Sequence, residues 1–313
     1  MHTNPLQRFL DRQGFAVLDG GLATEMERRG ADLDHYLWSA RMLAESPELV
    51  RAVHYDYLVA GADVIATATY QASFAGFERA GYNRARAEAL MRLAVELAVE
   101  ARDAFWSESA NRSNRLRPLV AASIGPYGAC LHDGSEYHGR YAVDMREVSD
   151  FHRSRMDVLA DTDADLFAFE TIPSRQEAEV LLQLITDYPG LGAWMSFSCR
   201  NGSQVCHGEP FADCAALADR AGQILAVGVN CTAPEHISPL LESARGLSTP
   251  LMAYPNSGER WVAEDNRWVG QGADGFAVAD WYRRGARLLG GCCRTGPEDI
   301  RRMRSELFEM PPD

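Results

Sequence analysis

Eight short apolar runs, rich in β-branched and aromatic residues, recur from end to end of the chain, each followed by a helix-sized segment. They cover residues 15–19, 63–70, 118–124, 165–171, 192–198, 224–230, 251–254 and 286–291. That alternation predicts a (β/α)8 TIM barrel forming one domain over residues 1–313, with a doubly wound open sheet as the alternative. The helix signals agree with the count. Ala87, Leu90, Met91, Ala94, Leu97, Ala98, Ala101 and Phe105 repeat at helical spacing and predict one long amphipathic helix. Ser46-Pro47-Glu48 opens another, running through Leu49, Val53, Tyr57 and Leu58 to about Gly61. Capping boxes are expected at Ser174…Glu177, at Thr232…Glu235 and at Thr295…Glu298, the last with Pro297 in the first turn. Residues 127–141 and 255–275 are longer connections of the kind that form lids or binding loops.

With 313 residues, 46% of them hydrophobic, the chain can fill a substantial core. No apolar run approaches the roughly 20 residues of a membrane span. The opening MHTNPLQRFL lacks a signal-peptide pattern, so a cytoplasmic location is expected. A net charge of −13 argues against nucleic acid or an anionic membrane as partner. The chain contains no lysine, which excludes Schiff-base chemistry and a phosphate-loop lysine. Seven cysteines, an odd number in a chain without an export signal, argue against a disulfide framework and leave metal ligation or buried thiols.

A barrel of this type carries its active site at the carboxyl ends of its strands. Polar residues interrupt the apolar runs at that end: Asp19, Thr67, Thr69, Ser123, Glu170, Ser196, Asn230, Asn256 and Ser257. Cys231 ends the sixth run, and Cys292-Cys293, directly after Gly290-Gly291, ends the eighth. Three thiols are therefore expected on one rim. Three thiolates with one open position suit Zn2+ and a metal-bound substrate. Cys130, Cys199, Cys206 and Cys214 read as small buried hydrophobes, with Cys206-His207 a weaker ligand pair. No His–Cys or Ser–His pair suggests a general base, and a metal that deprotonates a thiol removes the need for one. No Gly-x-Gly-x-x-Gly follows the first run, which disfavours a nucleotide-binding open sheet.

Asp19-Gly-Gly-Leu-Ala-Thr-Glu, Trp38-Ser-Ala, Gly125-Pro-Tyr-Gly, Asp133-Gly-Ser-Glu-Tyr137, Gly-Val-Asn-Cys231, Tyr-Pro-Asn-Ser-Gly-Glu259 and Gly-Gly-Cys292-Cys293-Arg together resemble the homocysteine S-methyltransferase family. The resemblance spans nearly the whole chain and is nearest to the bacterial type that uses S-methylmethionine or S-adenosylmethionine. It implies that Cys231, Cys292 and Cys293 bind zinc and carry the catalysis. It further implies that Asp19 and Glu170 receive the amino group of homocysteine, with Thr67 helping at the carboxylate end. Asn256 is expected in the substrate pocket, and residues 127–137 as a donor-facing loop, both from position alone. The fourth zinc position is expected to hold water, Asn230 or Asn256 in the absence of substrate. Betaine is the less expected donor, because Gln71 stands where the betaine-dependent relatives carry an aromatic residue.

The product would be methionine. Selenocysteine or another thiol remains an alternative acceptor. Two other chemistries fit parts of the chain: a phosphorylated substrate cradled by Gly290-Gly291, and a thiol redox switch at Cys292-Cys293. A monomer is expected, since no long dimerisation segment follows the barrel.

Overall fold

The protein is described by a computed structural model covering residues 4–310, except 263–266, 271, 273 and 274. The eight predicted runs form eight parallel strands: Ala16–Val17, Val64–Ala66, Leu119–Ile124, Leu166–Ile172, Ala193–Phe197, Ile224–Asn230, Leu251–Tyr254 and Ala286–Leu289. Strand one pairs with strand eight, and the order then runs down through seven, six, five, four and three to two. A bridge between Leu18 and Val64 joins the remaining edges. Asp63 N–H donates to Val17 O at 2.6 Å and Asp19 N–H to Val64 O at 3.1 Å, so the sheet closes on itself. The fold is a TIM barrel.

Every residue of strands three to seven is buried. A parallel strand with helices outside and packed side chains inside has no wet face, which is why these runs lack polar alternation. Inside, small Ala121, Ala168 and Ala226 lie in one cluster with the large Trp194 and Met252. Leu6 and Phe9, at the start of the chain's first helix (Gln7–Gln13), belong to the same cluster and are fully buried. Outside, the helix predicted from 87–105 spans Arg84–Ser107, with Asn83 Oδ1 accepting from Arg86 N–H at 2.9 Å. Pro47–Ala60 ends at Gly61, whose φ of +122° is open only to glycine at low cost.

Two of the three expected capping boxes differ in the structure. Ser174 does cap its helix, its hydroxyl accepting from Glu177 N–H at 3.2 Å. Thr232 instead ties neighbouring strand ends: its hydroxyl donates to Asn230 O at 2.8 Å and accepts from Cys199 N–H at 2.9 Å. The final helix, Pro297–Glu309, is capped one residue later than predicted, Gly296 N–H donating to Asp299 at 2.8 Å. Thr295 is occupied elsewhere, donating to Cys292 O at 2.6 Å. In both places a threonine that could end a helix holds a cysteine-bearing turn.

Of the two long connections, 255–275 contains a short antiparallel hairpin, Arg260–Val262 with Arg267–Val269. The other folds into a helix, Tyr127–Leu131, and a turn of 3-10 helix, Ser135–Tyr137. Fully buried Glu177 fastens both ends of this second connection, accepting from Tyr127 N–H and Tyr141 OH at 2.6 Å each. His152 Nε2 donates to the same carboxylate at 2.8 Å. Arg155, also buried, donates to Tyr70 O at 3.1 Å, Ala72 O at 3.3 Å and Gly125 O at 2.6 Å. One polar cluster thus fixes the loops after strands two and three relative to each other.

At the opposite end of the barrel, Asp63 is 1% exposed and stands where strand two meets strand one. Its Oδ2 accepts from Val17 N–H at 3.0 Å, Gln13 Nε2 at 2.8 Å and Arg304 Nη1 at 2.9 Å. Arg115 Nη2 lies 3.5 Å from Oδ1. Removing one partner of such a buried network leaves charge uncompensated. Asp63→Ala should lower the unfolding free energy by about 3–5 kcal/mol in urea titration. A loss below about 1 kcal/mol would show that the network does not hold the closure.

Candidate active site

Strand six ends at Asn230, and Cys231 follows with φ +46°, a left-handed backbone that lifts it out of the strand direction. Its N–H donates to Tyr254 O at 3.3 Å, at the end of strand seven. Cys292 N–H donates to Pro255 O at 2.8 Å, and Ser257 N–H to Cys293 O at 3.1 Å. The exit of strand seven therefore stitches the two cysteine segments together. The glycines before the pair are required by space: a Cβ on Gly290 would lie 2.6 Å from Leu18 Cβ and 2.9 Å from Asp19 O. On Gly291 it would run into the Thr295 side chain.

All three Sγ atoms lie within 4.8 Å of one another. Cys231 Sγ is 3.7 Å from Cys293 Sγ, which is 3.9 Å from Cys292 Sγ. Among the described residues this is the only group of three or more His, Cys, Asp or Glu with metal-ligand spacing. Hydrogen bonding with Cys231 and Cys293 holds the Cys292 thiol well below its ordinary range, against the effect of burial. Cys231 is pushed up, first by its hydrogen bond to Cys292. Soft sulfur donors in a trigonal group with a free side fit Zn2+ with an open position. The Tyr137 hydroxyl lies 3.8 Å from Cys231 Sγ.

The thiols lie on the wall of a cavity of ≈ 700 Å³ at the barrel mouth, which Asp19, Thr67 and Glu170 also line. Asp19 Oδ2 accepts from Ala66 N–H at 2.8 Å, and burial raises its carboxyl well above the usual range. Burial also pushes Glu170 up to about 7. Its oxygens accept from the Ser123 hydroxyl and, at 3.2 Å, from Tyr254 OH. Thr67 Oγ1 shares a 2.6 Å hydrogen bond with Thr69 Oγ1 and accepts from Ser123 N–H at 3.1 Å. These three residues and the three thiols are brought together as the strand ends suggested.

Asn256 is not. It does not line the cavity, and its Oδ1 accepts from Gly258 N–H at 2.9 Å inside its own turn. Asn230 does line it but serves the framework, accepting from Thr171 N–H at 2.7 Å and Ser196 OH at 2.8 Å. Of the expected donor-facing loop, His132, Gly134, Glu136 and Tyr137 line the cavity while Tyr127 points to Glu147 at 2.9 Å. Cys206-His207 is separate from the cluster, His207 pairing with Glu209 at 3.0 Å. Sequence reasoning gave no role to Tyr70, Glu27, Asp32 or Asp34, which also face the cavity. Tyr70, closing the second apolar run, was the one with a readable signal. Six carboxylates line the cavity and, among the described residues, no arginine does.

A family profile described as homocysteine S-methyltransferase matches residues 16–307. The chain is 48% identical over 301 residues to homocysteine S-methyltransferase YbgG of Bacillus subtilis, covering 95% of this chain and 96% of that one. It is 46% identical to a selenocysteine Se-methyltransferase of Brassica oleracea var. italica, covering 94% and 89%. The crystal structure of the homocysteine methyltransferase MmuM of Escherichia coli, in its metallated form, superposes with a TM-score of 0.86 at 43% identity, covering 96% of this chain and 99% of that one. The chain belongs to the homocysteine S-methyltransferase family.

Proposed function

We propose that the chain transfers a methyl group from a sulfonium donor, S-methylmethionine or S-adenosylmethionine, to the thiol of homocysteine on zinc held by Cys231, Cys292 and Cys293. The observation that carries this reading is the cluster of three thiols set into a cavity walled by carboxylates. The metallated form of the E. coli relative supports the metal, and the sulfur-only donor set supports zinc. Zinc in such a set would bind the acceptor thiol as thiolate, a nucleophile available at neutral pH.

The protein's own residues do the rest. Asp19 and Glu170, buried and facing the cavity, are the carboxyl groups that would pair with the acceptor's ammonium group, whose charge would favour their ionised forms. A buried carboxylate needs a partner, and this one would arrive with substrate. The barrel wall would align the two sulfur centres, with His132, Gly134, Glu136 and Tyr137 lining the same cavity. A cation meeting a thiolate loses charge as the methyl moves, so the enclosed mouth favours the transition state over the separated ions. The acidic wall favours a cationic donor. The Brassica relative points to selenocysteine as a second acceptor, handled by the same thiol cluster. A cytoplasmic monomer is the form we propose, and no described helix is long and apolar enough to cross a membrane.

Zinc-replete protein given homocysteine should form methionine from S-methylmethionine or S-adenosylmethionine and not from betaine. Absence of product from both sulfonium donors would overturn the reading. Cys292→Ser should cut bound zinc and lower the rate by at least about 100-fold; undiminished zinc and rate would remove the cluster from the chemistry. Glu170, pushed up to about 7 by burial, loses its charge below that pH. The KM for homocysteine should therefore rise as pH falls through about 7, while a flat profile between pH 6 and 8 would place the ammonium group elsewhere.

A further inference from the structure

Two hydrogen-bond acceptors on the cavity wall are left without a donor. Glu136 Oε2 and Gln71 Oε1 are both shielded from solvent and make no hydrogen bond, while both residues line the cavity. Gln71 is 7% exposed. Its orientation is fixed, because Nε2 donates to Ala129 O at 2.6 Å and only the amino end can do so. Its carbonyl oxygen is then the end that goes unserved. The two residues belong to one wall: Ala129 follows Gly128, and a Cβ on Gly128 would lie 2.6 Å from Glu136 N.

The other deep carboxylates are satisfied. Asp19 has the Ala66 amide, and Glu170 has Ser123 and Tyr254. Glu136 has only its own backbone N–H, with Asp133 adding repulsion and no arginine offsetting it; burial pushes its carboxyl up to about 7. Buried acceptors without donors are costly, and their natural complement is a group with several N–H donors and a positive charge. Glu136 is followed directly by Tyr137, whose hydroxyl reaches the Cys231 sulfur. A ligand held here lies in the cavity that the thiol cluster also lines.

We infer that Glu136 and Gln71 form the subsite for the α-ammonium group of the methyl donor, so that the enzyme selects donors that are amino acids. This rests on the sulfonium-donor reading and deepens it. A primary ammonium offers three N–H donors, enough for a carboxylate oxygen and an amide oxygen together. A trimethylammonium group offers none and leaves both acceptors buried and unserved. Discrimination against donors lacking N–H follows from that alone.

The test uses the zinc-loaded enzyme with saturating homocysteine. S-methylmethionine is compared with its deaminated analogue, (3-carboxypropyl)dimethylsulfonium, measured as a competing ligand against S-methylmethionine turnover. In the wild type, loss of the ammonium group should weaken binding about 10-fold or more. In Glu136→Gln the KM for S-methylmethionine should rise by a similar factor and the analogue should bind as it does to the wild type, so that the preference collapses. Glu136→Asp, which keeps the charge, should recover part of the preference. Zinc content, homocysteine KM and thermal midpoint should stay at wild-type values. An unchanged preference in Glu136→Gln would overturn the inference, as would equal weakening of both ligands. Failure of the sulfonium reading looks different: the wild type itself would form no methionine.

Discussion

Three sulfur atoms within 4.8 Å of one another are the constraint on which the mouth of this barrel depends. No pair of neutral thiols gains much from such closeness, and burying a second thiolate beside the first is costly without a cation. The backbone is bent to make the arrangement. Cys231, Thr171 and Arg294 hold φ values of +46°, +62° and +66°, all unusual for residues with a Cβ: Cys231 directly follows strand six, Thr171 is next to last in strand four, and Arg294 follows the cysteine pair. Gly290 and Gly291 remove side chains that would push the Cys292 segment away from strand one. Hydrogen bonds from Cys231 and Cys292 to the exit of strand seven then lock the geometry. Strain gathered on one rim and a compact network at the other end, around Asp63, divide the barrel into a reactive face and a stabilising one.

The mouth itself divides along the same logic. The three thiols line the cavity together with Asp19 and Glu170. The segment 132–137 belongs to the loop after strand three and brings Tyr137 to the cluster and Glu136 to the cavity wall. That segment stays in place because Glu177 fastens both ends of the 127–141 connection that carries it and Arg155 ties the base of that connection to the loop after strand two. Neither Glu177 nor Arg155 lines the cavity. Their burial is repaid in the position of residues that do.

Much of this was legible in the chain. Strands six and seven match the apolar runs residue for residue, because a strand covered on both faces must be apolar throughout and stops where polarity returns. Gly290-Gly291-Cys292-Cys293 and Cys231 were readable as a convergent set because barrel closure places the ends of strands six and eight on one rim. Local signals did worse. Thr295 and Thr232 sit at good capping positions, yet each hydroxyl satisfies a carbonyl at a strand exit, a tertiary demand that spacing does not encode. Asn256 stands at the right strand end and turns its side chain into its own loop. Glu136 carried no periodic signal, since its place is set by a connection folded back over the mouth.

The central claim is that Cys231, Cys292 and Cys293 hold a zinc ion with one position open to the acceptor thiol. X-ray absorption at the zinc edge, recorded on the protein before and after homocysteine is added, tests it most directly. The account predicts three sulfur neighbours without substrate and one more with it. A zinc environment with nitrogen or oxygen in place of the three sulfurs, or one that homocysteine leaves unchanged, would contradict it.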